Sequence, residues 1–101
     1  MRRGTTPTYI IELPEGIGSQ VADICLTFKQ GSMTTLSLHM SSGEIALNGD
    51  IASCTLTQEQ TNMFSAGSVK RQVKVKFSET DVQTSDIESE DVYDVLHVED
   101  L

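Results

Sequence analysis

The stretch Val69-Lys70-Arg71-Gln72-Val73-Lys74-Val75-Lys76-Phe77 places apolar side chains at 69, 73, 75 and 77 and sets Lys70, Gln72, Lys74 and Lys76 between them. A period of two belongs to a half-buried β-strand, because successive side chains of an extended chain point to opposite faces. One face must lie on a core while the other meets water. Antiparallel sheets of a sandwich satisfy this; a doubly covered parallel sheet, apolar on both faces, does not.

The same alternation recurs along the chain. Thr6 to Leu13 carries Tyr9, Ile11 and Leu13 on one parity and is ended by Pro14-Glu15-Gly16-Ile17-Gly18. Val21 to Lys29 places Ala22, Ile24, Leu26 and Phe28 on one face and Asp23, Cys25, Thr27 and Lys29 on the other. After the turn Gln30-Gly31-Ser32, Met33 to Met40 has Leu36, Leu38 and Met40 inward and Thr35, Ser37 and His39 outward, so the two strands read as a hairpin. Ser41-Ser42-Gly43 turns into a short strand, Glu44 to Leu47. Asn48-Gly49 then suits a type I′ turn with two positive φ angles, and the chain returns through Ile51 to Leu56. Thr57-Gln58-Glu59-Gln60 has the capping-box form and predicts one helical turn within 57–64, ended by Ala66-Gly67. The basic-faced strand follows, Ser78 to Asp81 turns, and a last strand starts at Val82 and runs to about Val92.

About seven short strands at this spacing predict an all-β fold, an antiparallel immunoglobulin-like β-sandwich with one helical corner. The chain has no Trp, so the likeness is architectural and does not extend to the Cys-Trp-Cys signature. Shared inward parity selects Ile24, Leu26, Phe28, Leu36, Leu38, Leu56, Val73, Val75 and Phe77 as the core.

With 101 residues, the chain is expected to form a single domain over 1–101, with a flexible start at 1–5 and an acidic segment at 93–101. Tyr93 to Leu101 suits either a helical turn or a continued edge strand. The net charge of -8 repels phosphate backbones, so no nucleic-acid partner is expected. No apolar run reaches the length of a membrane span, and Met1-Arg2-Arg3 is followed by Gly-Thr-Thr-Pro rather than by an apolar signal core. Cys25 and Cys54 fall on opposite faces, so a disulfide is not expected and synthesis in a reducing cytoplasm fits.

Residues that carry chemistry are sparse. A structural zinc would have to gather His39, His97, Cys25 and Cys54 from four segments of mixed facing, so no metal or cofactor is expected. Cys54 reads as buried and Cys25 as lying on an open strand face, so neither makes a persuasive nucleophile. Asp86-x-Glu88-x-Glu90-Asp91 lacks the glycine of a calcium loop and reads as a solvated face. Gly16-x-Gly18 precedes a strand and not a helix, which makes it a turn and not a dinucleotide site. No catalytic residues emerge. Charge contrast is the remaining signal: Lys70, Lys74 and Lys76 face one way on one strand, while Glu88, Glu90 and Asp91 belong to a stretch from Glu79 onward without Lys or Arg. Such acids lie beside the basic strand or meet a basic partner, so these six residues form a candidate interaction surface for self-association or for another protein.

Three segments carry a family likeness: Met1-Arg2-Arg3-Gly4-Thr5-Thr6-Pro7-Thr8, Val21 through Gly31, and Leu56-Thr57-Gln58-Glu59-Gln60-Thr61 before Phe64. They resemble small proteins encoded in phages and prophages of Firmicutes and related bacteria. The resemblance spans nearly the whole chain and implies a non-enzymatic, virion- or tail-associated structural role, with other virion proteins as partners. It brings no catalytic residues. A soluble ligand- or carbohydrate-binding β-sandwich module is the alternative.

Overall fold

Alternating sequence folds into a two-sheet antiparallel sandwich, seen in a computed structural model that describes residues 1–32 and 34–96. The elements are β1 (Thr8–Glu12), a 3₁₀ turn (Gly18–Gln20), β2 (Asp23–Gln30), β3 (Thr34–His39), β4 (Ala46–Asn48), β5 (Ile51–Thr55), α1 (Gln58–Asn62), β6 (Gly67–Ser78), β7 (Asp81–Thr84) and β8 (Glu88–Val92). The smaller sheet has the order β1-β5-β4. The larger has the order β3-β2-β6-β7, with β8 also paired to β6. Met33, expected to open the third strand, and His97 to Leu101 lie outside the described residues.

The core lies between the sheets. On β2, Ile24, Leu26 and Phe28 are at most 2% exposed, and the Phe28 ring meets Tyr9 edge-on at 5.1 Å and Phe64 at 6.1 Å. Of the expected core, Ile24, Leu26, Phe28, Leu38, Leu56 and Val75 are buried, together with Ile45, Ala52, Cys54, Phe64, Val69 and Val92. Leu36, Val73 and Phe77 are only half-buried against this cluster. Parity fixes which face a side chain takes, but not whether the opposite layer reaches it. Here three strands must cover the inner face of five.

Eight strands form among the described residues, where seven were expected. The expected last strand is two, and the break has a local cause. At Ser85 the hydroxyl accepts from the Val73 amide (2.9 Å) and donates to the Asp86 carbonyl (3.0 Å), which replaces a ladder carbonyl with a side chain and bends the chain. Before the break β7 pairs with Lys74 to Ser78, and after it β8 resumes pairing with Gly67 to Arg71.

The turn after β4 also departs from expectation. Asn48 pairs with Ile51, so Gly49 and Asp50 are the central residues; only Gly49 has positive φ, at 64°, as at the first central position of a type II′ turn. Asp50 is held there because its carboxylate accepts from the amides of Gly16 (2.9 Å) and Gly18 (2.8 Å). Those hydrogen bonds keep the Asp50 carboxyl below the usual carboxylate range. The capping box forms as read: Thr57 Oγ1 accepts from the Gln60 amide (3.1 Å) and Gln60 Oε1 from the Thr57 amide (2.8 Å). Met1 to Arg3, expected to be flexible, run beside β8. The Tyr93 amide donates to the Met1 carbonyl (2.8 Å) and the Arg3 amide to the Tyr93 carbonyl (3.0 Å).

Candidate functional site

The width mismatch between the sheets leaves a groove along one side of the sandwich. β1 is the edge of the smaller sheet and β7 the edge of the larger, and no strand among the described residues joins them. Between them Ile11, Leu13, Ile17, Val73, Val75 and Phe77 line a cavity of about 550 Å³. Glu12, Asp81, Gln83 and Thr84 form its rim. An apolar floor between two unpaired strand edges is a defined chemical offer: main-chain donors and acceptors at both lips, and apolar surface for alternate side chains below.

A polar cluster lies beside the groove, past Ile11 and Val73. Arg71 sits on the inward parity of β6 with Val69 and Val73, and its guanidinium reaches Glu90 Oε1 (2.9 Å) and Glu88 Oε2 (3.0 Å) while lying over the Tyr9 ring (5.6 Å to the centroid). Glu90 also accepts from the Tyr9 hydroxyl (2.6 Å) and the Met1 amino group (3.1 Å). Burial pushes the Glu90 carboxyl up, but the hydrogen bonds from Tyr9 and Met1 and the charge of Arg71 more than offset it, so the group lies below the ordinary carboxylate range. Burial and the Glu90 hydrogen bond together hold the Tyr9 phenol well above its usual value.

A carboxyl whose folded value is depressed stabilises the fold fully above the ordinary range, and that contribution disappears as pH falls through the folded value. Glu90→Gln is therefore expected to lose about 1–3 kcal/mol near neutrality. The gap between its melting temperature and that of the parent should narrow as pH falls below about 4.3, the ordinary Glu value. A constant gap down to strongly acid pH would remove Glu90 from this role.

The charged residues singled out in the sequence meet only in part. Lys70 and Lys74 are exposed on the outer face of β6, and Lys76 is paired with Glu79 at 2.6 Å. Glu88 and Glu90 turn to Arg71 of their own chain, so their oxygens are committed to a guanidinium; Asp91 is exposed beside Ser68.

The β2–β3 register assembles a group that sequence spacing kept apart. Cys25 pairs directly with His39 across the hairpin, and Lys74 flanks Cys25 from β6. Cys25 Sγ lies 3.6 Å from His39 Nε2, and His39 Nδ1 lies 3.4 Å from Asp23 Oδ2. Asp23 is held by the Ser41 amide (2.9 Å) and hydroxyl (3.1 Å) and by the Ile24 amide (2.9 Å). Slight burial raises its carboxyl, and these hydrogen bonds bring it below the ordinary range. The signal was present in the hairpin: its two strands join through the Gly31 turn, and that pairing sets position 25 opposite 39. Cys54 is 4% exposed and burial pushes its thiol up; both cysteines are free.

Comparison with protein-family models, curated proteins and solved structures gives no match for this chain. Among the described residues, no helix is long and apolar enough to cross a membrane.

Proposed function

We propose that this protein is a non-enzymatic assembly module of a phage or prophage particle, tail- or virion-associated, which works by accepting an extended segment of another subunit into the groove between β1 and β7. The observation that carries the reading is the row Val73, Val75 and Phe77, half-buried at Val73 and Phe77, lying between two unpaired strand edges. A strand laid there completes main-chain pairing at a lip and covers apolar surface worth about 25 cal/mol per Å². A net charge of -8 sets copies of the chain against one another, and Glu12 and Asp81 stand on the rim, so the fitting segment alternates apolar residues and carries Lys or Arg at its ends. This favours a heterologous partner over self-association.

The test is binding of the purified chain to the purified products of the genes that flank its own. One of them is expected to bind, to slow amide exchange along β1 and β7, and to lose binding when Phe77→Gln, shown by its melt to be folded, replaces the parent. Binding untouched by Phe77→Gln, or no binding to any of these products, overturns the reading. The cavity volume also falls in the range of small-molecule sites, and a lining with one aromatic ring suits an aliphatic ligand better than a stacked sugar. Protection of the same amides by a small aliphatic ligand, with no protein bound, would favour that second reading.

A further inference from the structure

We propose that Cys25 is a site of reversible covalent exchange with small anionic disulfides, with His39 as the proton carrier and Asp23 as its positioning residue. The site lies on the outer face of the larger sheet, away from the groove, in a shallow depression of about 250 Å³ bounded by Asp23, Cys25, His39, Lys74, Lys76 and Glu79.

The hydrogen-bond chain sets the proton positions. An ionised Asp23 only accepts, so His39 Nδ1 carries the proton toward it and the Nε2 lone pair faces Cys25 Sγ at 3.6 Å. A base within reach of a thiol, itself oriented by a third group, is the arrangement that activates a nucleophile. Strand pairing makes the arrangement rigid: Cys25 and His39 occupy facing positions of β2 and β3, and Asp23 lies two residues along β2 on the same face.

The surroundings choose among the reactions open to a thiol. Backbone donors here are taken up in pairing with β3 and β6, which leaves an acyl-transfer oxyanion poorly served. Thiol–disulfide exchange has no such need. Cys25 Sγ attacks one sulfur of the disulfide, the new S–S bond forms as the old one breaks, the thiol proton passes to His39 Nε2, and the leaving thiolate takes that proton. No net oxidation occurs, and excess thiol reverses the step. The same face carries Lys29, Lys70 and Lys74, which attract carboxylates although the whole chain is acidic, while Lys76 is neutralised by Glu79. Buried Cys54 is an internal control.

The probe is oxidised glutathione, followed by intact-protein mass and by peptide mapping. The expected product is a single adduct on Cys25, formed about tenfold faster than on a short peptide spanning Asp23 to Thr27. His39→Gln and Asp23→Asn should each return the rate toward that of the peptide, and Lys74→Gln should slow oxidised glutathione but not the dication cystamine. Asp23→Asn reads the same step independently if His39→Gln fails to fold. Peptide-like reactivity of the folded parent, a rate unmoved in both folded variants, or first reaction at Cys54 overturns the proposal. Equal behaviour of the two disulfides in the Lys74→Gln comparison overturns its anionic part.

Discussion

Phe28→Ala is expected to lower stability by about 3–5 kcal/mol, the cost of emptying an aromatic site in a packed core. The residue is fully buried and joins the two sheets, with Tyr9 of β1 on one side and Phe64, just beyond α1, on the other. Its loss removes transfer free energy and leaves a cavity that three separate elements cannot jointly collapse into. Chemical denaturation of the variant beside Lys74→Ala provides the check, since that exposed change on the outer face should move stability by about 0.5 kcal/mol or less. A parent-like midpoint for Phe28→Ala would refute the inward assignment of β2.

Gly18→Ala is the second large effect, at about 3 kcal/mol, and its cause is steric rather than conformational. Gly18 does not have positive φ, yet an added Cβ would overlap the Gly49 carbonyl oxygen and lie 2.9 Å from Asp50 Oδ1. Both neighbours are fixed, one by the turn and the other by its hydrogen bonds to Gly16 and Gly18, so the loop must withdraw from the β4–β5 turn. Gly16→Ala makes the informative comparison. Open space surrounds that Cβ, but φ is +81°, so only the left-handed penalty of about 1–2 kcal/mol applies. Equal melts for the two variants would show that the close approach does not matter.

These two positions illustrate how much of the molecule was legible in its sequence. Alternation located every strand through β6 and placed Ile24, Leu26 and Phe28 inward, because face is a local property of an extended chain. The Gly16-x-Gly18 turn was visible as a breaker, but the packing that demands Gly18 depends on a turn more than thirty residues later in the chain. Asn48-Gly49 was read one residue early because Asp50 has a binding partner that no local rule contains. Arg71 carried a signal that went unused: it is the charged residue on the apolar parity of its own strand, and such a residue needs a buried partner, here Glu90. The groove was not legible at all. It arises from the relative widths of two sheets, and alternation within a strand carries no information about how many strands lie opposite.

The interruption at Ser85 divides the outer edge of the larger sheet into two pieces of unequal attachment. β8 is fastened by Val92 in the core and by Glu90 in its charged cluster, whereas all four residues of β7 are exposed. β7 can therefore peel from β6 without unzipping β8, with Ser85 as the pivot, and the cost of that opening is a fraction of global unfolding. An incoming strand need not squeeze in beside a finished sheet. It meets a lip that can shift to receive it, and β7 gains a neighbour on its free side while β8 stays fastened to β6.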